Sequence, residues 1–206
     1  METYMGLEHF ANLDTLISLM LGISLSAATG FRVFVPLLVM SAAAVLGHVD
    51  LPSNFDWIES DQALILFAVA SLLEIIGYYI PWLDHTLDII STPAAIIAGT
   101  IVTASTAPEQ MNPLVQWTTA LLVGGGAAGL TKGMSNIMRV ISTAISGGLT
   151  NPIVATIELA LALGLALLAV SVPVVALLVV IALWSFAIRR IRRVFRRPEP
   201  ADAAGR

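Results

Sequence analysis

Two glutamates lie inside apolar stretches of the sequence, where an ionised side chain is costly. Glu74 follows "ALILFAVASLL", and Glu158 lies within "NPIVATIELALALGLALL". An ionised residue at the centre of a membrane helix costs about 2.5–3.5 kcal/mol on insertion scales, so each carboxyl must be protonated, paired or exposed to water. Both positions predict groups that carry protons or bind cations. The alternative is a carboxyl that only forms hydrogen bonds between helices.

A second polar cluster, Asp84, His85 and Asp88, follows Glu74 within "EIIGYYIPWLDHTLDII". On a helix the two aspartates lie on one face, one turn apart, and His85 lies within about 100° of both. Oxygen and nitrogen donors so placed could bind a divalent cation or shuttle protons. These three side chains are therefore the candidate ligands if the protein binds a metal. The spacing is not specific, and an acidic turn at the membrane interface would show the same pattern.

Arg32 and Arg139 are the arginines that precede the C-terminal segment "RRIRRVFRRP". Each could anchor a loop on the cytoplasmic side of a membrane. Each could equally be the counter-charge for a buried carboxylate, or a clamp for an anion. Both are therefore included among the candidate site residues.

Tyr78 and Asn151 complete the set of candidate site residues. Tyr78 lies one helical turn after Glu74 and could donate a hydrogen bond to it, although a tyrosine of the interfacial belt fits the position as well. Asn151 precedes Pro152, and this pair is typical of an N-cap followed by the first residue of a helix.

The composition is that of a membrane protein. Of 206 residues, 57% are hydrophobic and only 12% are charged, against about 25% charged residues in a soluble domain. The mean hydropathy is +0.89. The chain contains no cysteine, which excludes disulfides, thiolate catalysis and cysteine-ligated metal sites. The predicted fold is all-α, a polytopic bundle of about seven transmembrane helices, and no cofactor is predicted.

Apolar stretches and helix-breaking pairs divide the chain. Residues 13–190 are predicted to form one transmembrane domain, between an N-terminal tail of residues 1–12 and a basic, disordered tail of residues 191–206. The pairs Thr92-Pro93 and Asn112-Pro113 predict further helix starts. Two spans are short or rich in small residues, and they could be re-entrant or broken helices. The candidate spans are 13–29, 33–47, 62–80, 93–107, 113–131, 152–170 and 173–189.

Basic residues predict the orientation. The C-terminal segment "RRIRRVFRRP" contains six of the ten basic residues. Arginine is retained on the cytoplasmic side of a last span, so the segment indicates a topology anchor that also attracts anionic lipid head groups. We expect no nucleic-acid binding. The predicted location is the bacterial inner membrane, with several spans and a cytoplasmic C-terminus.

Residues 132–150 carry a polar stripe at helical spacing. Apolar side chains cover much of the remaining surface, which predicts an amphipathic helix. Such a helix could lie on the membrane surface or line a polar cavity inside the bundle. The stripe consists of Lys132, Ser135 or Asn136, Arg139, Thr143 and Ser146.

Two further patterns concern helix packing. "SAATGFRVFVP" resembles "TAISGGLTNP", and "VASLLE" resembles "VATIE". These matches indicate a weak internal repeat, a device that transporters use to face broken helices towards each other. In "VGGGAAGL", Gly125 and Gly129 form a small-residue face that allows close helix packing and could join two copies of the chain.

Four longer stretches resemble one protein family. They are "GISLSAATGFRVFVPLL", "LLEIIGYYIPWLDHTLD", "TPAAIIAGTIVTAS" and "ISTAISGGLTNPIVATIEL". Together, over roughly residues 14–185, they resemble the bacterial membrane family catalogued as domain of unknown function 4126. The resemblance implies a multi-span inner-membrane protein, and it supplies no catalytic or binding residues.

Three functions fit these patterns. The first is a transporter or channel-like protein for a small solute or ion, coupled to protons or cations through the intramembrane glutamates. The second is a non-catalytic assembly or scaffold protein. The third is a metal-dependent membrane enzyme that acts on lipid head groups through Asp84, His85 and Asp88. An enzyme is the least favoured of the three, because no catalytic motif is present.

Overall fold

The predicted all-α fold is confirmed. The computed structural model describes residues 13–195, except for the side chains of Asp14, Pro81, Trp82, His85, Val194 and Phe195. Within this range there are eight α-helices and no strand. The helices are α1 (Leu13–Thr29), α2 (Phe34–Val45), α3 (Asp61–Tyr78), α4 (Pro81–Ser105), α5 (Pro113–Thr119), α6 (Gly126–Ser146), α7 (Asn151–Ser171) and α8 (Pro173–Phe195). A 3₁₀ helix, Ser53–Glu59, precedes α3, and a π-helical segment, Ala120–Gly125, joins α5 to α6.

Four segments of the described chain are long and apolar enough to cross a membrane. They are Asp61–Tyr78, Thr86–Ser105, Asn151–Ser171 and Pro173–Arg193. The shorter apolar helices α1 and α2, and the first half of the helix that begins at Pro113, correspond to the remaining predicted spans. The protein is thus membrane-embedded, whereas a count of seven spans stays a prediction.

The predicted helix start at Thr92-Pro93 is wrong. Helix α4 begins at Pro81 and continues through Pro93 to Ser105. A proline inside a helix removes one backbone donor and crowds the preceding turn. In the turn before Pro93, the hydroxyls of Ser91 and Thr92 both donate to the carbonyl of Asp88, at 3.3 and 3.0 Å. The acidic cluster therefore lies on the first turns of a long helix rather than in a loop.

The helix that carries the predicted amphipathic stripe is continuous with the predicted span before it. Helix α5, the π-helical segment and α6 follow one another directly from Pro113 to Ser146. At about 1.5 Å per residue this helix is about 50 Å long, more than the roughly 30 Å of a bilayer core. Its N-cap is Asn112, whose side chain accepts a hydrogen bond from the N–H of Leu114 at 2.9 Å. The predicted helix start at Asn112-Pro113 is confirmed.

The predicted small-residue face packs within the chain. A Cβ built on Gly125 would lie 2.8 Å from the hydroxyl of Thr100, and one on Gly129 would lie 3.3 Å from Ile96. Both neighbours belong to α4. The small residues let α4 approach the helix that begins at Pro113, as small residues do at membrane helix interfaces. Assembly of two chains through these glycines stays a prediction, and this internal contact does not favour it.

Gly99 of α4 lies at the tightest part of the same interface, and we expect alanine there to destabilise the protein. Its added Cβ would lie 2.6 Å from the Cβ of Ala128 and 2.8 Å from the carbonyl oxygen of Gly124. Because one of these neighbours is backbone, the helices must shift, and such overpacking costs about 1–3 kcal/mol. Thermal unfolding in detergent measures the effect.

Gly126→Ala is the matched control for Gly99→Ala. Gly126 is also helical, and its added Cβ would meet nothing within 4 Å. This variant should be neutral or more stable, since alanine favours a helix over glycine by about 1 kcal/mol. Equal effects of the two substitutions would contradict the close packing.

A break between α1 and α2 lies in the protein interior. A Cβ on Gly30 would lie 2.5 Å from the carbonyl oxygen of Ala128 and from the Cβ of Thr131, so the turn presses directly against α6. Arg32, in the same turn, is only 1% exposed. Irregular backbone at membrane depth is tolerated only where protein or a water-filled cavity covers it. The junction is therefore a broken-helix arrangement, and its donors need partners from other helices.

The C-terminal end of α8 carries exposed arginines and extends beyond the predicted domain boundary. The helix continues to Phe195, so residues 191–195 are helical, and the predicted start of a disordered tail at 191 is wrong. A regular helix satisfies its own backbone, which lets it extend past the apolar stretch. The predicted tails over residues 1–12 and 196–206 lie outside the described residues. The exposed arginines are Arg189, Arg190, Arg192 and Arg193.

Candidate functional site

Arg139 of α6 is the centre of a buried ion-pair network. Its Nε donates to Glu158 Oε1 at 3.0 Å, its Nη2 donates to Glu158 Oε2, and its Nη1 donates to Asp84 Oδ1. Arg139 is 3% exposed and Glu158 is 3% exposed. The guanidinium therefore joins α4, α6 and α7. Interpretation of Arg139 as a cytoplasmic surface anchor is wrong, because its counter-charges lie inside the bundle.

Ser135 of α6 adds a neutral donor to the same carboxylate. Its hydroxyl donates to Oε1 of Glu158, and Ser135 is 5% exposed. Ser135 and Arg139 lie one turn apart on α6, so both reach Glu158 from one face. The two carboxylate oxygens of Glu158 are therefore held by donors of both residues.

Lys132, Asp88 and Tyr78 form a second part of the network. Lys132 Nζ lies 3.1 Å from Asp88 Oδ1 and 3.2 Å from the Tyr78 hydroxyl. The hydroxyl of Tyr78 also donates to Asp88 Oδ1 at 3.3 Å. Tyr78 is 2% exposed, so its interpretation as an interfacial-belt residue is wrong. The predicted hydrogen bond from Tyr78 to Glu74 is replaced by these contacts.

Arg32 lies over the ring of Tyr78. The guanidinium carbon of Arg32 is 3.7 Å from the ring centroid, that of Arg139 is 4.6 Å away, and Lys132 Nζ is 5.6 Å away. An aromatic face attracts cations at such distances. Arg32 Nη2 also donates to the carbonyl of Ala155 at 2.8 Å. The ring thus sits among three buried positive charges.

Arg32 is a counter-charge rather than a surface anchor. Its Nη2 lies 3.8 Å from Glu158 Oε2, and the side chain is 1% exposed. The interpretation of Arg32 as a membrane-surface anchor is therefore wrong. Its Nε and Nη1 are buried and have no hydrogen-bond partner among the described residues.

Glu74 caps the second half of the broken helix. Its Oε1 accepts a hydrogen bond from the N–H of Val33 at 2.8 Å, and its Oε2 accepts one from the N–H of Phe34 at 3.0 Å. These donors are among the unpaired N–H groups at the start of α2, which also carries the positive end of the helix dipole. Within the described chain, Glu74 forms no ion pair with a lysine or arginine. Its hydrogen bonds from the described residues come from the backbone, while Arg32 and Lys132 act on it electrostatically from beyond ion-pair distance.

The network contains more acids than bases. Its members come from several helices and from the turn before α2, and all are buried or half-buried. If every group is ionised, four carboxylates face three cations, and the sum is one negative charge. The carboxylates are Glu74, Asp84, Asp88 and Glu158, and the cations are Arg32, Lys132 and Arg139.

Asn151 supports Asp84 instead of capping a helix. Helix α7 has Thr150 at its N-cap position, and Asn151 is its first residue. The Asn151 amide donates to Asp84 Oδ2 at 3.2 Å, so the predicted N-cap role is wrong because the tertiary partner takes the side chain. Asp84 precedes the apolar span that begins at Thr86. Burial raises the pKa of Asp84 above its ordinary value, against the opposing effect of Arg139.

A cavity of about 1110 Å³ borders the network. Its walls come from the α3–α4 junction and the α6–α7 junction, which meet at one end of the bundle. Exposed residues such as Tyr79 and Leu149 line it, so the cavity reaches the surface. Of the network, it is lined by Tyr78, Asp84, Asp88 and Arg139. Arg139 therefore lies between the cavity and Glu158.

The predicted metal site finds no support in the described part of the chain. Among the described side chains there is no group of three His, Cys, Asp or Glu residues that could hold a metal ion. Asp84 and Asp88 are instead paired with Arg139 and Lys132. The side chain of His85, the third predicted ligand, lies outside the described residues.

The structure adds Lys132 and Ser135 to the predicted site residues. Both belonged to the predicted stripe, which the structure turns towards the bundle interior: Lys132 is 1% exposed and Ser135 5% exposed. Their spacing with Arg139 was the signal that could have identified them. The sequence left open whether the stripe lies on the membrane surface or faces the interior of the bundle. The first half of the stripe faces the interior.

Comparison with known proteins identifies the family. The model of the family DUF4126, described as a domain of unknown function, matches residues 19–193. The chain therefore belongs to this family, and the match contains every residue of the ion-pair network. Neither the curated proteins nor the solved structures include a match.

Proposed function

We propose that this protein is a small transporter or channel-like protein of the bacterial inner membrane, with a cytoplasmic C-terminus. The observation that carries the proposal is the cavity of about 1110 Å³ whose wall contains the buried Arg139 and two of its acidic partners, Asp84 and Asp88. A solute that enters this cavity comes directly against the charge network.

The energetic cost of the network favours a function over a scaffold role. Removing charges from water is expensive, and apolar residues of similar volume often give equal or better stability. A protein that only assembles with others would gain little from seven buried or half-buried charges among its membrane helices. Ionisable residues inside membrane helices that face a cavity mark pathways for ions or protons.

The excess acid in the network suggests proton or cation coupling. One proton or one bound cation would neutralise the sum of four carboxylates and three cations. Glu74 is the carboxylate without a cationic partner in the described chain. Glu74 is therefore the group that we propose to exchange a proton during transport, while Glu158 is held in its pair with Arg139.

Proteoliposomes test this proposal. The protein is reconstituted with the pH-sensitive dye pyranine inside, and valinomycin with a potassium gradient sets an inside-negative potential. We expect internal acidification that is faster than in protein-free liposomes and that depends on pH. Glu74→Gln should reduce the rate to the protein-free level, because the amide cannot exchange the proton.

Glu59→Gln provides the control for this flux assay. Glu59 lies in the 3₁₀ helix before α3, outside the network, so its loss should leave the rate unchanged. Wild-type, pH-dependent flux in Glu74→Gln would remove Glu74 from the pathway. Equal rates with and without protein would contradict transport and favour the assembly function.

A further inference from the structure

We infer that the cavity binds monovalent organic cations, namely an ammonium group on a compact apolar body. This inference rests on the proposed transport function and names the class of solute. It rests on two observations. The first is which charged atoms of the cavity wall have no partner within the described part of the protein, and the second is which residues form the rest of the wall.

Arg139 offers little to a solute. Each of its three nitrogens donates to a carboxylate, two to Glu158 and one to Asp84, which uses three of the five N–H groups of the guanidinium. The side chain of Arg139 is only 4% exposed, so its two remaining N–H groups are almost fully covered by protein. A planar guanidinium recognises anions through pairs of accessible N–H groups, and burial in the protein limits that access here.

Asp84 is also occupied. Its Oδ1 accepts from Arg139 and its Oδ2 accepts from Asn151 at 3.2 Å. The side chain is 6% exposed. Asp84 and Arg139 are thus paired with each other, and both expose very little of their side chains to the cavity.

Asp88 is the charged group that remains available. Its side chain is 20% exposed, well above those of Asp84 and Arg139. Both bonds, from Lys132 and from Tyr78, go to Oδ1. Its Oδ2 accepts no hydrogen bond from the described side chains. Lys132, its counter-charge, is only 1% exposed and does not line the cavity.

The charges of the wall add to this preference. Two aspartates and one arginine line the cavity, so the lining has one net negative charge when all three are ionised. Like charge in a partly desolvated wall repels an anion strongly, and opposite charge raises the local concentration of cations. The available carboxylate oxygen of Asp88 is the natural partner for an ammonium group.

The rest of the cavity fits an apolar body. Its volume of about 1110 Å³ is slightly above that of pockets that enclose drug-sized ligands, which are about 300–1,000 Å³ and mostly apolar. The polar neutral groups in the wall include Thr92 and Asn136. Its apolar residues include Ile89, Val140, Ala144, Leu149 and Pro152.

Titration calorimetry with two probes of matched shape tests the inference. The protein is placed in phosphatidylcholine nanodiscs, which contain no primary ammonium, and titrated with benzylammonium or benzoate. We expect benzylammonium to bind and benzoate to bind at least about tenfold more weakly, a difference of about 1.4 kcal/mol. Preferential binding of benzoate, or binding of neither ion, would overturn the inference.

Variants at one exposed position separate charge recognition from folding. Asp88→Asn should weaken benzylammonium binding, but it also removes the partner of Lys132. Leu149 lies in the turn between α6 and α7, lines the cavity and is 86% exposed, so a longer side chain there meets little of the protein. Leu149→Glu should tighten benzylammonium binding and Leu149→Lys should weaken it. Identical affinities in these two variants would overturn the inference even if Asp88→Asn fails to fold.

Changing the lipid composition of the nanodisc tests whether the bound ammonium group belongs to a lipid head group or to a soluble amine. If phosphatidylethanolamine in the nanodisc raises the apparent Kd of benzylammonium, the lipid head group competes for the cavity. An unchanged Kd identifies a soluble amine as the ligand, and both results support the ammonium class. The binding assay is independent of the proton flux assay, so a failure here leaves the result for Glu74 intact.

Discussion

Arg139→Leu should be among the most destabilising substitutions in this protein, with a loss of about 3–5 kcal/mol. The reason is that Arg139 neutralises Glu158 and Asp84 together. Without it, Asp84 loses its ion pair and Glu158 keeps, of the described cations, only the more distant Arg32, at 3.8 Å, and a buried charge left without its partner costs more than the pair ever contributed. The half-inactivation temperature of the protein in detergent, followed by size-exclusion chromatography, measures the loss.

Two further variants make this prediction specific. Arg190→Leu removes an arginine that is exposed at the end of α8, and it should change stability by no more than about 0.5 kcal/mol. The double variant Arg139→Leu with Glu158→Leu should be more stable than the sum of the single changes predicts, because it also removes one unpaired charge. Additive effects in the double variant would contradict a direct coupling of Arg139 to Glu158.

Glu74→Leu should produce the second large loss, for a different physical reason. The carboxylate is the acceptor for the N–H groups of Val33 and Phe34 at the break before α2. Each buried donor left without a partner costs about 1–3 kcal/mol, so the loss should be about 2–6 kcal/mol for both donors. Glu74→Gln should cost less, because its amide oxygen still accepts one of the two bonds.

Hydrogen–deuterium exchange localises this second effect. Peptides that cover the start of α2 should exchange faster in Glu74→Leu, whereas peptides from α8 should not change. Glu59→Leu is the control, since Glu59 lies in the 3₁₀ helix away from this break. Unchanged exchange at Val33 and Phe34 in Glu74→Leu would show that the carboxylate does not cap α2.

The sequence alone identified the class of protein and several residues whose burial in a membrane helix costs free energy. Hydropathy and charge depletion add up residue by residue, so a chain with 57% hydrophobic residues predicts membrane helices without any knowledge of their neighbours. The burial of Glu74 and Glu158 followed from the apolar residues next to them. The start of α5 at Asn112-Pro113 followed from local capping chemistry.

Other features depended on packing that no local pattern contains. Pro93 lies inside α4 because the rest of that helix is held by its packing against neighbouring helices. Local preference favoured a helix start at Pro93. The tertiary contacts outweighed a preference of a few kcal/mol.

The pairing of charges was decided by the tertiary structure alone. Helical periodicity places Lys132 and Arg139 on one face of α6, but it does not say which helices that face meets. Glu158 is 19 residues from Arg139 along the chain, and Asp84 is 55 residues away. Ion pairs of this kind form only after α4, α6 and α7 have packed, because their geometry depends on interhelical distance and rotation rather than on spacing within one helix. The sequence therefore determined that this membrane protein buries charges, and the packing of its helices determined which charges neutralise each other beside the cavity.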